Sequence, residues 1–278
     1  MWIKCYKFVY KQFFTCEECG YLYLNSGKTR YIGSDVMKLL TTFVGIFVIL
    51  SMLCTGYKQN MYIACALHTD KDINIVDKSI NKDIKYLKED VIMPQFEGGK
   101  NAESVNKINT KINDDIISKL TEAEKTASDY YGNLVEKPEF PFEVYSRYTV
   151  TKNSKNLISF YNDYYEFLGG AHGLTTRTSY TIDKNRESML NLNDIFKTGY
   201  DYKSVINDAI RKQISKEPEK YFETADKFKG ISDNQGYYIS NDNIVIYYQE
   251  YEIAPYVAGI PEFNIPIDMF GDNYMYRD

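Results

Sequence analysis

Residues 160–183 read FYNDYYEFLGGAHGLTTRTSYTID, from Phe160 to Asp183: two runs of alternating side chains around a Gly-Gly-Ala-His-Gly break. On the first run Ile158, Phe160, Tyr164 and Leu168 alternate with Ser159, Tyr161, Asp163 and Tyr165. On the second, Leu174, Thr176, Thr178, Tyr180 and Ile182 recur at every second position. A period of two is how a strand turns one side to a core, so the break predicts a strand-to-strand connection. Gly169, Gly170 and Gly173 permit positive φ or close backbone approach, and they surround His172, one of only two histidines.

Working outward, residues 142–151 alternate, turn at 153–155 and return through 157–168, a hairpin that the break extends into a third strand. Upstream, Val105, Ile108, Ile112, Ile116 and Leu120 are spaced three and four apart with charged residues between. They predict a helix capped by Asn101, running to about Tyr131 and closed by Gly132 and Pro138. Before it, Ile73, Ile75 and residues 86–93 read as short strands, and residues 94–100, with Pro94, Gly98 and Gly99, as a turn. Downstream, Tyr202, Val205, Ile206, Ala209, Ile210 and Ile214 mark a second helix, and Pro218 opens a shorter one to about Phe228, closed by Gly230. Residues 237–240 and 244–249 form another hairpin, and Pro255 and Gly259 bend the chain into a last strand at 263–267. Strands gathered in runs predict an α+β fold, with antiparallel sheets and packed helices, rather than a doubly wound one. Two consecutive subdomains are expected, 72–187 and 188–270. No low-complexity linker parts them, so they should pack together.

Composition narrows the class. Hydrophobic residues make up 44% of 278, ample for a core, and the 27 tyrosines suit half-buried strands and binding surfaces. To Thr69 there are seven Lys or Arg against three acids, a net of +4; the remaining 26 basic and 35 acidic residues leave −9. An acidic body attracts cationic partners and argues against nucleic acid; solubility is the plain alternative reading of the same charge. All five cysteines (Cys5, Cys16, Cys19, Cys54, Cys65) lie in the first quarter, so the body holds itself by its core and not by disulfides.

The N-terminal quarter reads as export apparatus. In residues 1–36, Trp2, Ile3, Tyr6, Val9 and Phe13 are spaced for one face of a basic amphipathic helix, interleaved with Lys4, Lys7 and Lys11. Cys16-Glu-Glu-Cys19 is half a zinc site without its other half. Residues 39–53 are apolar and uncharged. They fit a signal-peptide core, and extended to 37–57 they reach the length of a spanning segment; either way the remainder is sent outside. Met37 followed by Lys38 is itself a complete start for such a signal, so an arm at 1–36 and a start at Met37 are both open. Lipid attachment at Cys54 is a further alternative, against which Leu53 departs from the small residue that lipidation prefers.

The run YEFLGGAHG (Tyr165 to Gly173) resembles the tyrosine and Gly-Gly-Ala-His signature of a two-part extracellular module of unknown function. A second match lies in YEIAPYVAG (Tyr251 to Gly259), followed by Ile265-Pro266. The module forms the outer part of RsiV-type anti-sigma factors, which sense lysozyme, and precedes some peptidoglycan deacetylase domains. The resemblance spans roughly residues 72–270. It implies a membrane-held sensing or binding protein of the cell envelope, single-pass with its C-terminal body outside, or secreted or lipid-anchored after cleavage. Its implied partner is a cationic protein such as lysozyme, with peptidoglycan as the alternative, and a sigma factor held by residues 1–36 as a further one. Candidate contacts are Tyr161, Asp163, Tyr165 and His172 at the first motif and Tyr251 and Tyr256 at the second; Gly169, Gly170, Gly173, Pro255 and Gly259 shape the turns.

Catalysis is not expected. His172 has no companion for a metal site, no Gly-x-Ser-x-Gly elbow is present, and no nucleotide fingerprint appears, so no catalytic residue, metal or cofactor is assigned. The imidazole is expected to hold the turn by bonding backbone. Asp163, Glu166, Glu250 and Glu252 are the carboxylates nearest the motifs, but sequence cannot supply the spacing that an acid/base pair needs. Where the module accompanies deacetylases, the resemblance places the chemistry in a separate downstream domain.

Overall fold

The computed structural model describes residues 71–134 and 141–277, together with the backbone of four short strands near the N-terminus. It divides into two compact units, 1–69 and 70–278. In the first unit β1 (Cys5–Tyr6), β2 (Phe13–Cys16), β3 (Tyr21–Leu24) and β4 (Thr29–Tyr31) pair antiparallel in that order, with Cys5 opposite Cys16. The amphipathic helix read over Trp2 to Phe13 is therefore corrected at β1 and β2. Phe13, Phe14 and Thr15 favour strand. Residues 37–57, read as a spanning or signal segment, lie outside the described residues. Among the described residues no helix is long and apolar enough to cross a membrane.

The second unit begins with β5 (Lys71–Ile84) and β6 (Leu87–Gly99), a long hairpin, then α1 (Ala102–Asn133). Asn101 caps α1 as its sequence position requires, its side chain accepting from the amides of Glu103 (2.9 Å) and Ser104 (3.3 Å). The helix crosses over to β7 (Phe142–Asn153), which runs parallel to β6, and β8 (Leu157–Phe167), β9 (Leu174–Asp183) and the short β10 (Ser188–Met189) follow antiparallel. The sheet order is β10-β9-β8-β7-β6-β5. Two sequence expectations are corrected here. Residues 94–99 continue β6 instead of turning, because β6 pairs with β7 only as far as Val91; past that point no described strand pairs with that edge and Pro94 is tolerated there. The sheet also holds one parallel pair, which the 32-residue crossover helix makes possible.

The pleat gives the sheet two working faces. Phe160, Tyr180 and Ile182 join Leu87, Val91, Met93 and Phe96 under the stripe of Ile108, Ile112, Ile116 and Leu120, the core read from the sequence. On the other face Leu157, Ser159, Tyr161 and Ser179 meet a three-stranded antiparallel sheet of β11 (Tyr237–Ser240), β12 (Asn243–Tyr247) and β13 (Glu262–Pro266). That sheet carries a second core with α2 (Tyr202–Ile214), built on Ile206, Ile210, Ile239, Ile244, Phe263 and Phe270. Beyond Pro218 the expected helix is only one 3-10 turn, Pro218–Lys220. There Tyr221 stacks on Phe263 (5.7 Å) and the Phe222 amide bonds the Ile253 carbonyl (2.9 Å), contacts that hold the following stretch open instead of helical.

Candidate functional site

The register of β8 on β9 sets Tyr165 opposite Thr175 and Asp163 opposite Arg177, and the Gly-Gly-Ala-His-Gly connection closes the pair at one end. Gly169 and Gly170 take φ of +103° and +100°, the left-handed region that glycine allows. Gly173 is needed for a different reason: a Cβ there would run into the Tyr165 ring. Tyr165 therefore lies against the backbone of the turn, and His172 is projected outward. His172 Nδ1 lies 2.8 Å from the Gly173 carbonyl oxygen, as the sequence suggested, and because a carbonyl only accepts, that nitrogen is the donor.

The second motif comes to the same place. After β12 the chain turns through residues 248–253, with Tyr251 at φ +65°, and then through a single 3-10 turn, Tyr256–Ala258, that starts at Pro255 and ends at Gly259 (φ +64°). The Tyr256 ring stacks on His172 at 3.9 Å and 20°. Tyr251 stacks on Tyr256 at 5.6 Å and places its hydroxyl within hydrogen-bond distance, 3.1 Å, of His172 Nε2. Glu250 anchors the turn by accepting from the Thr175 amide at 3.0 Å. Tyr251 is 48% exposed and Val257 beside it 92% exposed. Two aromatic faces and an apolar tip are thus held outward by backbone that strain and hydrogen bonds fix in place.

Of the six candidate contacts, Tyr165, His172, Tyr251 and Tyr256 are brought together. Tyr161 and Asp163 are held elsewhere, by a residue that the sequence reading did not single out. Arg177, 8% exposed, bonds Asp163 through Nε (2.6 Å) and Nη2 (2.7 Å), reaches Glu262 on β13, and lies 3.7 Å over the Tyr161 ring. Burial works against its charge, but Asp163 and then Glu262 more than offset this and hold the guanidinium proton more firmly than usual. The signal was available, since pairing across the glycine connection already sets Asp163 opposite Arg177. Two of the other carboxylates near the motifs are engaged by backbone, Glu250 as above and Glu252 by the Gln249 amide at 2.8 Å, while Glu166 sits with Lys119 and Glu122, its pKa raised by burial and then by Glu122. Among the described residues no group of three or more His, Cys, Asp or Glu is placed to hold a metal ion.

Two sheets, each with a core and a helix of its own, meet at the paired motifs within one compact α+β unit. Comparison with known proteins agrees: residues 80–175 match the family described as Deacetylase PdaC, and residues 193–268 match Protein of unknown function (DUF3298). Each of the two stretches that carry a motif thus has a family match of its own. It is 28% identical over 205 residues to anti-sigma-V factor RsiV of Bacillus subtilis, an alignment covering 70% of this chain and 68% of that one. It is 23% identical over 111 residues to the peptidoglycan-N-acetylmuramic acid deacetylase PdaC of the same organism, covering 38% of this chain and 24% of the deacetylase. A solved structure of a DUF3298 family member from Bacteroides fragilis has the same fold, with a TM-score of 0.56 and 20% identity over 73% of this chain and 95% of its own.

Proposed function

We propose that this protein is a non-catalytic sensing or binding module of the cell envelope, anchored through residues 37–57 with its body outside. It takes a cationic protein such as lysozyme at the His172, Tyr251 and Tyr256 stack. The observation that carries this reading is the stack itself, in which two motifs nearly eighty residues apart present exposed aromatic rings on rigid turns. Tyrosine supplies contact area at low entropic cost, and an aromatic centre with an acidic surround suits a basic partner. The −9 net charge from residue 70 onward supplies a long-range attraction for such a partner, and Glu250 lies beside the stack. Titrating the full chain with lysozyme by calorimetry at low salt tests it. Micromolar binding that weakens with salt is expected, and Tyr251→Ala or Tyr256→Ala should lower affinity by about tenfold or more. No heat at micromolar concentrations discards the reading.

The similarity to an anti-sigma factor supports a second reading, in which residues 1–36 hold a sigma factor. Mass spectrometry of the native N-terminus decides it: a chain starting at or after Met37 has no such arm.

A further inference from the structure

Alternation along β8 turns Tyr164 and Glu166 toward α1, opposite to Tyr161 and Asp163. There helix and sheet leave an open cleft of about 250 Å³ between Lys119, Glu122 and Thr126 on α1 and Tyr164, Glu166 and Thr176 on the strands. The volume falls below the usual range for drug-sized ligands, which limits an occupant to something of amino-acid size.

Two opposite charges line this cleft without meeting. Of the four lysines on α1, Lys107, Lys111 and Lys125 each pair with a carboxylate one turn away, whereas Lys119 pairs with none among the described residues. Its ammonium has one neutral partner, the Thr178 hydroxyl at 3.3 Å, and stands 5.6 Å from the centre of the Tyr164 ring. Asp115, one turn back, is already taken by Lys111 (2.5 Å) and by the Tyr180 hydroxyl (2.9 Å). Across the cleft, the Glu166 carboxylate accepts no hydrogen bond from any described residue. Unlike the sealed Tyr164 hydroxyl beside it, its oxygens keep access to solvent. Burial is the largest influence on both groups, lowering the pKa of Lys119 and raising that of Glu166. Each charge is therefore short of partners where a partner counts for more than it would in bulk water.

We infer that this cleft binds a small zwitterion of the amino-acid class, its carboxylate taken by Lys119 and its ammonium by Glu166. Glu122, exposed at the rim, adds to the pull on the ammonium, and Ala123 and Leu168 offer an apolar surface for a short side chain. The inference does not depend on what the His172 stack binds. The test uses the full chain in lipid nanodiscs, with empty discs as the blank, and three probes that share a carbon body: alanine, propionate and ethylamine. Binding is followed by saturation-transfer NMR. Alanine should bind saturably in the millimolar range and about tenfold tighter than either singly charged analogue, the factor that about 1.4 kcal/mol of charge-assisted hydrogen bonding supplies. Lys119→Met should abolish the preference over ethylamine and keep that over propionate; Glu166→Gln should do the reverse. Both variants replace a charge that burial disfavours, so the fold should stand, which thermal melts check; the ratios in the native chain are decisive without them. Either analogue binding the native chain as tightly as alanine, ratios unmoved by both variants, or no saturable binding of alanine up to about 50 mM overturns the assignment.

Discussion

Glu89 is the residue most at odds with its surroundings. It lies on β6, 2% exposed, with neither carboxyl oxygen hydrogen-bonded, and Lys82 Nζ stands 3.7 Å away, too far for a hydrogen bond. Burial, and then Glu124 beside it, push its carboxyl up to about 7, with Lys82 opposing. A folded pKa above the unfolded value means that the native state binds the extra proton between about pH 4.5 and 7. Its contribution to stability is therefore present below that window and lost as pH rises through it. Glu124 shifts the other way, lowered by its 2.5 Å bond from Lys82, and acts below pH 4.5, so the two effects do not overlap. Glu89→Gln should thus raise stability at pH 8 by roughly 1–3 kcal/mol and flatten the decline between pH 5 and 7. Denaturant melts at the two pH values check this; a variant with the native pH profile would assign the slope to another group.

Among elements, α1 shows what local sequence dictates and what it does not. Its cap, stripe and length were legible because each rests on residues within a turn or two of one another, and α2 likewise falls where its apolar spacing sets it. The entry to α1 also has a partner that no local pattern shows. Glu187, buried just before β10 with φ +51°, accepts from the amides of Lys100 and Asn101 (2.8 Å for the latter), so the end of the first sheet latches the start of the helix. Asn101→Ala removes one exposed cap and should cost about 1 kcal/mol. Glu187→Ala leaves two amides without their acceptor and should cost more, roughly 2–3 kcal/mol, with relief of the strained φ offsetting little because alanine dislikes that region too. Urea melts of the two variants rank them; a larger loss for Asn101→Ala would show that the cap, not the latch, fixes the helix. Pro94 lies within a strand that the sequence predicts to end there, and Pro218 opens one 3-10 turn where the sequence predicts a helix, both for one reason. Each proline's effect depends on which neighbouring edge is paired or packed, a tertiary fact that the sequence around it does not carry.

Over the whole second unit, the two halves are joined by polar contacts as well as by core. Ser159 Oγ accepts from the Ile239 amide (2.9 Å), Ser179 Oγ donates to the Tyr237 carbonyl (2.5 Å), and Gln249 exchanges bonds with the backbone of Arg177 (2.9 and 2.8 Å). Arg177 sits at the centre of this seam, bonded to Asp163 within its own sheet and to Glu262 on the facing one. The candidate site depends on the same seam, because His172 comes from one half and Tyr251 and Tyr256 from the other; from sequence alone both motifs were visible but their meeting was not. Arg177→Met keeps much of the apolar stem and removes the charge, leaving the Asp163 and Glu262 carboxylates facing each other without a cation. Removing one partner of a fully buried ionic group costs about 3–5 kcal/mol, but Asp163 and Glu262 are 32% and 35% exposed, so the loss here should be smaller, roughly 1–3 kcal/mol, and should fall on the seam more than on either core. Hydrogen exchange should then speed up in β11 to β13 and in the 248–258 segment while α1 stays protected. Adding Asp163→Asn should restore part of the loss, since one unpaired charge goes with it. Uniform loss of protection across both halves would mean that Arg177 supports the fold as a whole, and the His172 stack would then have no separate hinge on which to loosen.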